Sequence, residues 1–506
     1  MPLLRRLPVA AVTAVVLATN LVTTGVVASA QQPDKPPACS ATLPQLRYLV
    51  LFDIGVQQAA ATREISGTCG KLTGYYPQIG VAVATSADAR FPNRIGLDRA
   101  FSAQRVMRSQ QGPRKSDETD ATKAQVTANP ATVSTVDLTG EQWDMDLIHA
   151  NTARHIDPGS RDVVVGVLDS GVDPNHPDLR KALDPALSAG CLGGIPDRAR
   201  NAWAPTASPH GTHVAGTIAA ADDGHGTAGV APGVRIASVK VVDDDGFIFP
   251  EYAVCGLMWA TVNKMAVTNN SYFVDPWLMT CNRDGERVVV EAVRRAVDYA
   301  TQQGTLTVAA ATNGGADLSD PSGQTAEGPA DASGADRRTL DSSCKVLPAG
   351  LRGVVAVSAV GENKLKAGYS SYGLGVIDVT APGGEPKTAS DAAPAATQKP
   401  ACVLSTVPGG YDRFCGTSMA TPHVTGVAAL LASEHPGASP PELSRMLNDQ
   451  AESIPCPADY DLDDTGAQDA YCDGYSPYNG FYGHGLVDAE AAVSGSGSSV
   501  DSLEDN

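Results

Sequence analysis

Three short stretches carry residues suited to acyl transfer. The first is Gly416-Thr417-Ser418-Met419-Ala420-Thr421-Pro422-His423-Val424. From Ala420 onward, Val424, Val427, Ala428 and Leu431 recur at helical spacing, which seats Ser418 at a helix N-terminus. There, unpaired N–H groups and the positive end of the helix dipole face any negative charge that develops, and Gly416 lets a substrate approach the backbone. Pro422 is read as a first-turn proline, whose missing donor is not needed. Alone, this stretch is explained equally well by a buried helix that begins with a serine cap. The second stretch, Val163-Val164-Val165-Gly166-Val167-Leu168-Asp169, is an apolar run ending in an acid. It reads as a strand buried on both faces of a parallel sheet, with Asp169 at the carboxyl edge where chemistry gathers in open α/β sheets. The third, His210-Gly211-Thr212-His213-Val214-Ala215-Gly216-Thr217, reads as a helix start packed closely through its small residues. A serine at a helix start, a histidine and an acid supply a hydroxyl nucleophile, its base and the group that orients the base. A zinc reading of His210 and His213 lacks the glutamate and companion ligand such sites need.

The elements that must hold these residues alternate along the chain. Val234–Val242 reads as a strand leading to Asp243-Asp244-Asp245-Gly246, and Glu251–Asn263 as the following helix. Val288–Gln303 is a further helix, and Thr305–Ala311 a strand that ends at Thr312-Asn313-Gly314-Gly315. Val354–Val360 and Val376–Gly383 are two more strands. Alternation of this kind predicts a mostly parallel central sheet covered by helices on both faces, a three-layer α/β fold. Upstream, strands over Tyr48–Phe52 and Ile79–Ala84, a helix over Val56–Ile65 and a second over Leu97–Val106 make a small α+β unit. The polar stretch Ser109–Asn129 reads as an exposed linker open to cleavage. Ala316–Ser343 and Glu385–Pro400 exceed usual connection lengths and read as surface insertions.

All three chemical motifs resemble the subtilisin-like serine proteases, in their chain order of Asp, then His, then Ser. The likeness runs from about Trp143 to Val493 and includes Tyr482-Gly483-His484-Gly485-Leu486-Val487. It implies that Asp169, His210 and Ser418 are the catalytic triad, with His210 rather than His213 in the catalytic position. It implies that Asn313 is the side-chain donor of the oxyanion hole, partnered by the Ser418 backbone N–H, although Thr312 stands where a glycine is usual. Substrate is then expected as an added strand between Asp245-Gly246-Phe247 and Ser271-Tyr272-Phe273. Phe273 also replaces a usual glycine, which would narrow the cleft. The implied organisation is a signal peptide (1–30), a propeptide that aids folding and then inhibits (31–125), a subtilisin-like catalytic domain (135–493) and a disordered tail (494–506). Glu141-Gln142-Trp143-Asp144-Met145-Asp146 resembles the start of the mature enzyme, which places the processed N-terminus between Ser109 and Gly140.

Composition supports an exported globular protein. The chain has 506 residues, 42% of them hydrophobic, enough for a large core. Arg5 and Arg6, the apolar stretch Leu7–Val27 and Ala28-Ser29-Ala30 form a secretory signal with cleavage after Ala30, so the expected location is extracellular. Ten cysteines in such a chain imply disulfides. Cys39 with Cys69, Cys402 with Cys415, and Cys456 with Cys472 are local pairs, while the pairing of Cys191, Cys255, Cys281 and Cys344 stays open. The net charge is −19, yet residues 31–125 carry twelve Lys and Arg against eight Asp and Glu. A basic segment ahead of an acidic body suggests mutual attraction and argues against nucleic acid as a partner. The expected partners are polypeptide substrates and the chain's own propeptide, with a monomer and no stable membrane anchor. The chemistry requires no cofactor; structural calcium often accompanies the family, but Asp459, Asp461, Asp463 and Asp464 read first as a solvated acidic loop. Two other functions fit the same motifs: a selective proprotein-processing protease and a catalytically silent binding relative.

Overall fold

The structure is a computed structural model that describes residues 38–109, 136–283, 285–322, 324–327, 337–385, 402–462 and 465–495. The stretch read as a signal peptide, most of the expected linker, residues 386–400 of the second insertion and the tail from 496 lie outside the described residues.

The N-terminal unit runs β1 (Leu46–Leu51), α1 (Gln58–Gly67), β2 (Lys71–Tyr76), β3 (Val81–Ser86), α2 (Phe91–Ile95), β4 (Ala100–Phe101) and α3 (Ala103–Ser109). Its strands form an antiparallel sheet in the order β2-β3-β1-β4. Alternation along the strands sorts the side chains between two cores. Tyr48, Val50, Ala82 and Ala84 pack with Ile65 and Phe91 of the unit's own helices. Leu49, Leu51, Val81 and Val83 join an apolar layer that continues into the larger body. The helix expected over Leu97–Val106 is corrected: Ala100 and Phe101 pair with β1, and helix begins only at Ala103, where Ser102 Oγ accepts from Arg105 N at 3.2 Å. The sequence reading also passed over β2, a half-exposed strand broken by a bulge at Leu72/Gly74.

In the body, β5 (Val164–Asp169), β6 (Ala189–Gly190), β7 (Arg235–Lys240), β8 (Val267–Asn270) and β9 (Leu306–Ala310) belong to one seven-stranded sheet. β10 (Thr325–Glu327) and β11 (Arg337–Thr339) pair antiparallel within the first insertion. β12 (Val354–Val360) and β13 (Val379–Pro382) complete the sheet, in the order β13-β12-β9-β8-β5-β7-β6 with every pairing parallel. A separate hairpin, β14 (Val403–Val407) and β15 (Gly410–Phe414), lies between Cys402 and Cys415. The helices are α4 (Trp143–Leu147), α5 (Ala150–Ile156), α6 (Arg200–Trp203), α7 (His210–Ala219), α8 (Pro250–Val262), α9 (Glu286–Gln302), α10 (Thr417–Glu434), α11 (Pro440–Gln450) and α12 (Ala489–Val493).

Each face of the sheet buries its own layer. Val214 and Ile218 of α7, and Val424, Val427 and Leu430 of α10, pack with Val165 and Val167 on one side. Val254 and Leu257 of α8, and Val289 and Val293 of α9, pack with Leu168 and Val239 on the other. All six residues of β5 are buried, as a continuous apolar run requires in a covered parallel sheet. The expected three-layer α/β architecture is therefore present. β8 escaped the sequence reading because it is only four residues long and two of them are asparagine.

Five disulfides link Cys39–Cys69, Cys191–Cys255, Cys281–Cys344, Cys402–Cys415 and Cys456–Cys472. The three local pairs match expectation, and the four remaining cysteines pair across sequence separations of 64 and 63. No helix of the described residues is long and apolar enough to cross a membrane.

Candidate active site

The residues singled out for chemistry meet at the carboxyl edge of the sheet. Asp169 ends β5, Ser271 follows β8 directly, and Asn313 lies three residues past β9. His210 opens α7 and Ser418 is the second residue of α10.

His210 Nδ1 faces both carboxylate oxygens of Asp169, at 2.8 and 3.0 Å. Asp169 is 1% exposed and His210 9%, so the pair is shielded from solvent. Asp169 Oδ1 also accepts from Ser170 N at 2.7 Å, and Ser170 Oγ accepts from Gly211 N at 2.9 Å, which ties the start of α7 to the end of β5. Gly211 is required by this approach: a Cβ there would lie 2.5 Å from Gly171 O and 3.0 Å from Asp169 Oδ1.

Asn313 is held by its oxygen. Thr417 N and Thr417 Oγ1 both donate to Asn313 Oδ1, at 2.9 and 2.8 Å. Two donors converging on one atom identify it as the oxygen, so Nδ2 is the donor end of the amide. A Cβ on Gly416 would stand 3.2 Å from that Nδ2 and 3.6 Å from Ser418 N, so glycine keeps the space beside both donors clear. Thr312, the residue standing where a glycine was expected, has φ +91°. Glycine enters that region freely, whereas a β-branched residue there carries strain of about 1–3 kcal/mol. Here it is held by the 2.9 Å contact between Thr312 Oγ1 and Ser371 Oγ and by Ser371 N donating to Thr312 O at 3.0 Å.

His213 does not take part. It is fully buried, stacks on Phe414 with centroids 4.4 Å apart, and directs Nε2 at the carbonyls of Val403 and Asp412. Burial pushes its imidazole down to about 3, so it packs as a neutral ring. Through it, the β14–β15 hairpin is fastened to α7, helped by Ser405 Oγ and Thr406 Oγ1 donating to the carbonyls of His213 and Thr212, each at 2.8 Å.

The two segments expected to receive substrate differ in character. Asp243 organises the first: its Oδ1 accepts from Asp245 N at 3.1 Å and Phe247 N at 2.9 Å, and Gly246 (φ +85°) has no atom within 4 Å of where a Cβ would be. Phe247 stacks on Phe249 at 5.5 Å, while Asp245 is exposed. In the second, Tyr272 turns inward and its hydroxyl donates to Asn270 Oδ1 at 2.9 Å. Burial, reinforced by nearby Asp169, holds that phenol well above its ordinary range. Phe273 is half-buried against the apolar layer on the α8 and α9 side. Ser271 touches Ser418 directly: Ser418 Oγ donates to Ser271 O at 3.3 Å, and Ser271 Oγ donates to Ser418 O at 2.9 Å.

One feature differs from the sequence reading and a second escaped it. Pro422 is the sixth residue of α10, past the first turn where it was expected, so the carbonyl four residues back has no helical donor. His423, one residue on, is fully buried with Nδ1 2.8 Å from Met419 O and Nε2 3.0 Å from Asp144 Oδ2. Helical counting back from Pro422 to Ser418 was the available signal for the first; nothing local marked Asp144 for the second. No group of three or more His, Cys, Asp or Glu side chains converges as a metal site among the described residues. Within the acidic loop, Asp463 and Asp464 lie outside the described residues, and Asp461 accepts from Thr465 N and Gly466 N at 3.0 and 2.6 Å.

The model of the Subtilase family, peptidase S8, matches residues 160–485. Among relatives, fervidolysin of Fervidobacterium pennivorans is 30% identical over 71% of this chain and 44% of its own length. Subtilisin DY of Bacillus licheniformis is 30% identical over 69% of this chain and 98% of its own length. In architecture, the epidermin leader peptide processing serine protease of Staphylococcus aureus superposes with a TM-score of 0.63, covering 91% of this chain and all of that one at 19% identity. The chain belongs to the subtilase family, and its class is that of subtilisin-like serine endopeptidases, hydrolases of peptide bonds. The family acts without a cofactor, on polypeptide substrates.

Proposed function

We propose that this chain is a secreted endopeptidase, made as a self-processing zymogen, with Asp169, His210 and Ser418 as its triad. The observation that carries the reading is the Asp169–His210 pair at 2.8 Å set at the same sheet edge as Ser418, with Asn313 anchored on the residue before the nucleophile. Ser418 Oγ attacks the peptide carbonyl and passes its proton to His210 Nε2, which returns it to the leaving amine. Asp169 holds the Nδ1–H tautomer and stabilises the imidazolium. Asn313 Nδ2 and Ser418 N–H receive the oxyanion. Water then hydrolyses the acyl-enzyme by the same proton path.

The boundary of the zymogen is supported by packing. Leu138 N donates to Gly226 O at 2.8 Å, and Gln142 clasps Ala228 through Oε1 at 2.9 Å and Nε2 at 3.1 Å. From about 136 onward the chain is therefore knit into the body, which favours cleavage between Ser109 and Val136. Disulfides and the basic-then-apolar stretch before Ala30 support export.

Ser418→Ala tests the assignment. The variant is expected to fold, to lose proteolysis and fluorophosphonate labelling, and to remain uncut between Ser109 and Val136. Appearance of the trimmed chain from that variant, with no other protease present, would sink self-processing. Cleavage-site profiling on a mixed peptide library separates general degradation from selective proprotein processing.

A further inference from the structure

Pro422 leaves the carbonyl of Ser418 without the N–H that an unbroken helix would supply from four residues on. We infer that the Ser271 hydroxyl replaces that donor and is a positioning residue for the nucleophile, backed by a relay through Asn269 and Thr425. The inference rests on Ser418 being the nucleophile.

Hydrogen counting gives the relay its direction. The single hydroxyl hydrogen of Ser271 goes to Ser418 O at 2.9 Å, so its oxygen must accept from Asn269 Nδ2, also at 2.9 Å. Asn269 Oδ1 then accepts from Thr425 Oγ1 at 2.9 Å. The opposite amide orientation would turn the Ser271 hydrogen toward Asn269 and strand Ser418 O, so the need of that carbonyl sets the whole chain. Asn269 and Thr425 have no exposed surface and Ser271 is 6% exposed, so water does not compete. The relay leaves the second half-turn beyond Pro422, passes through the end of β8 and returns to the first turn of α10. Where proline interrupts the helix's own ladder, side chains on the central sheet complete it.

The carbonyl of Ser418 shares a peptide plane with Met419 N, and its direction sets the tilt of the first turn. That tilt aims both the Ser418 Cα–Cβ bond and the Ser418 N–H. A misplacement of about 1 Å at a reacting group can cost on the order of a hundredfold in rate. The main chain of Ser271, whose carbonyl accepts from Ser418 Oγ at 3.3 Å, is untouched when only the hydroxyl is removed. Loss of the hydroxyl is thus expected in kcat and not in KM.

The experiment uses the mature protein, with working sites counted by fluorophosphonate labelling and kcat and KM measured on a peptide amide. Ser271→Ala is expected to lower kcat about tenfold with KM within about twofold. Ser271→Ala combined with Pro422→Ala restores an N–H facing Ser418 O, so the double variant is expected to turn over faster than Ser271→Ala alone. Thr425→Val, at the far end of the relay, is expected to lower kcat by a smaller factor with KM again unchanged. Wild-type kcat in Ser271→Ala, or losses that simply add in the double variant, overturns the positioning role. Should Pro422→Ala fail to fold, unchanged kcat in Thr425→Val overturns the relay. Absence of label on Ser418 in the wild type would instead remove the catalytic assignment beneath it.

Discussion

Asn313 and Thr312 are neighbours with opposite demands. In the proposed oxyanion hole Asn313 presents Nδ2 to a charge that exists only during reaction, and the two Thr417 donors on its oxygen fix the amide beforehand. Thr312 must adopt φ +91°, a conformation its side chain resists, so the turn that delivers Asn313 is strained and propped by Ser371. Because the Asn313 contact is made only in the transition state, Asn313→Ala is expected to lower kcat by about a hundredfold to a thousandfold with KM little changed. That is the range for the oxyanion-hole asparagine of subtilisin. A change confined to KM in steady-state kinetics would show that Asn313 positions substrate instead. From sequence, Asn313 alone reads as a turn residue; the Ala-rich strand before it and Gly-Gly after it were what marked it.

The helix that carries Ser418 is held by more than its own hydrogen bonds. Its first turn meets the end of β8 through Ser271, and its second is fastened to α4 by the His423–Asp144 contact, both side chains fully buried. Both ring nitrogens of His423 face oxygen acceptors, Met419 O and Asp144 Oδ2, so the ring spans two turns of α10 and the segment that follows the proposed cleavage region. Removing one member of such a hydrogen bond leaves the other buried and unmatched, a loss of about 1–3 kcal/mol. Asp144→Ala in a Ser418→Ala background, where self-digestion cannot interfere, is expected to lower the unfolding free energy by that amount in a denaturant titration. A loss under about 1 kcal/mol would mean that α4 is not an anchor of the nucleophile helix.

Taken whole, the molecule places a small basic unit on an acidic body. Arg47 of β1 lies 3.5 Å from Glu251 and donates to Tyr252 Oη at 3.2 Å at the start of α8, and Arg295 of α9 donates to the carbonyls of Phe52 and Ile79 at 2.7 and 3.0 Å. Phe101 meets Trp277 with centroids 5.6 Å apart, and Tyr76 Oη donates to Gly194 O at 2.8 Å. Burial raises the Glu251 carboxyl, and the Arg47 guanidinium beside it opposes the rise. With its own core and the Cys39–Cys69 link, residues 31–125 made separately are expected to inhibit the matured enzyme. Long-range attraction speeds association, so onset should slow as salt rises, while packing keeps dissociation slow. Arg47→Ala strands Glu251 and is expected to weaken inhibition on the order of a hundredfold, chiefly through faster release. Progress curves across a salt series measure both; no inhibition at micromolar folded segment would reduce this region to an accessory unit.

The elements that carry Asp169, His210 and Ser418 were legible because each is a local pattern: a buried strand ending in an acid, and two helix starts rich in small residues. The parallel sheet followed from the alternation of such patterns, and the three local disulfides from short loops. What depended on distant partners was not legible. β8 became a strand through its neighbours β5 and β9, not through its own four residues. The pairing of Cys191 with Cys255 and of Cys281 with Cys344 needed chain segments more than sixty residues apart to meet. Pro422 was visible, but the donor that replaces its N–H comes from Ser271, 147 residues away from the carbonyl it serves. Hydrogen-bond partners and buried polar pairs are matched in space, where sequence distance carries no energy, so the elements could be read along the chain while the contacts between them appeared only when it was folded.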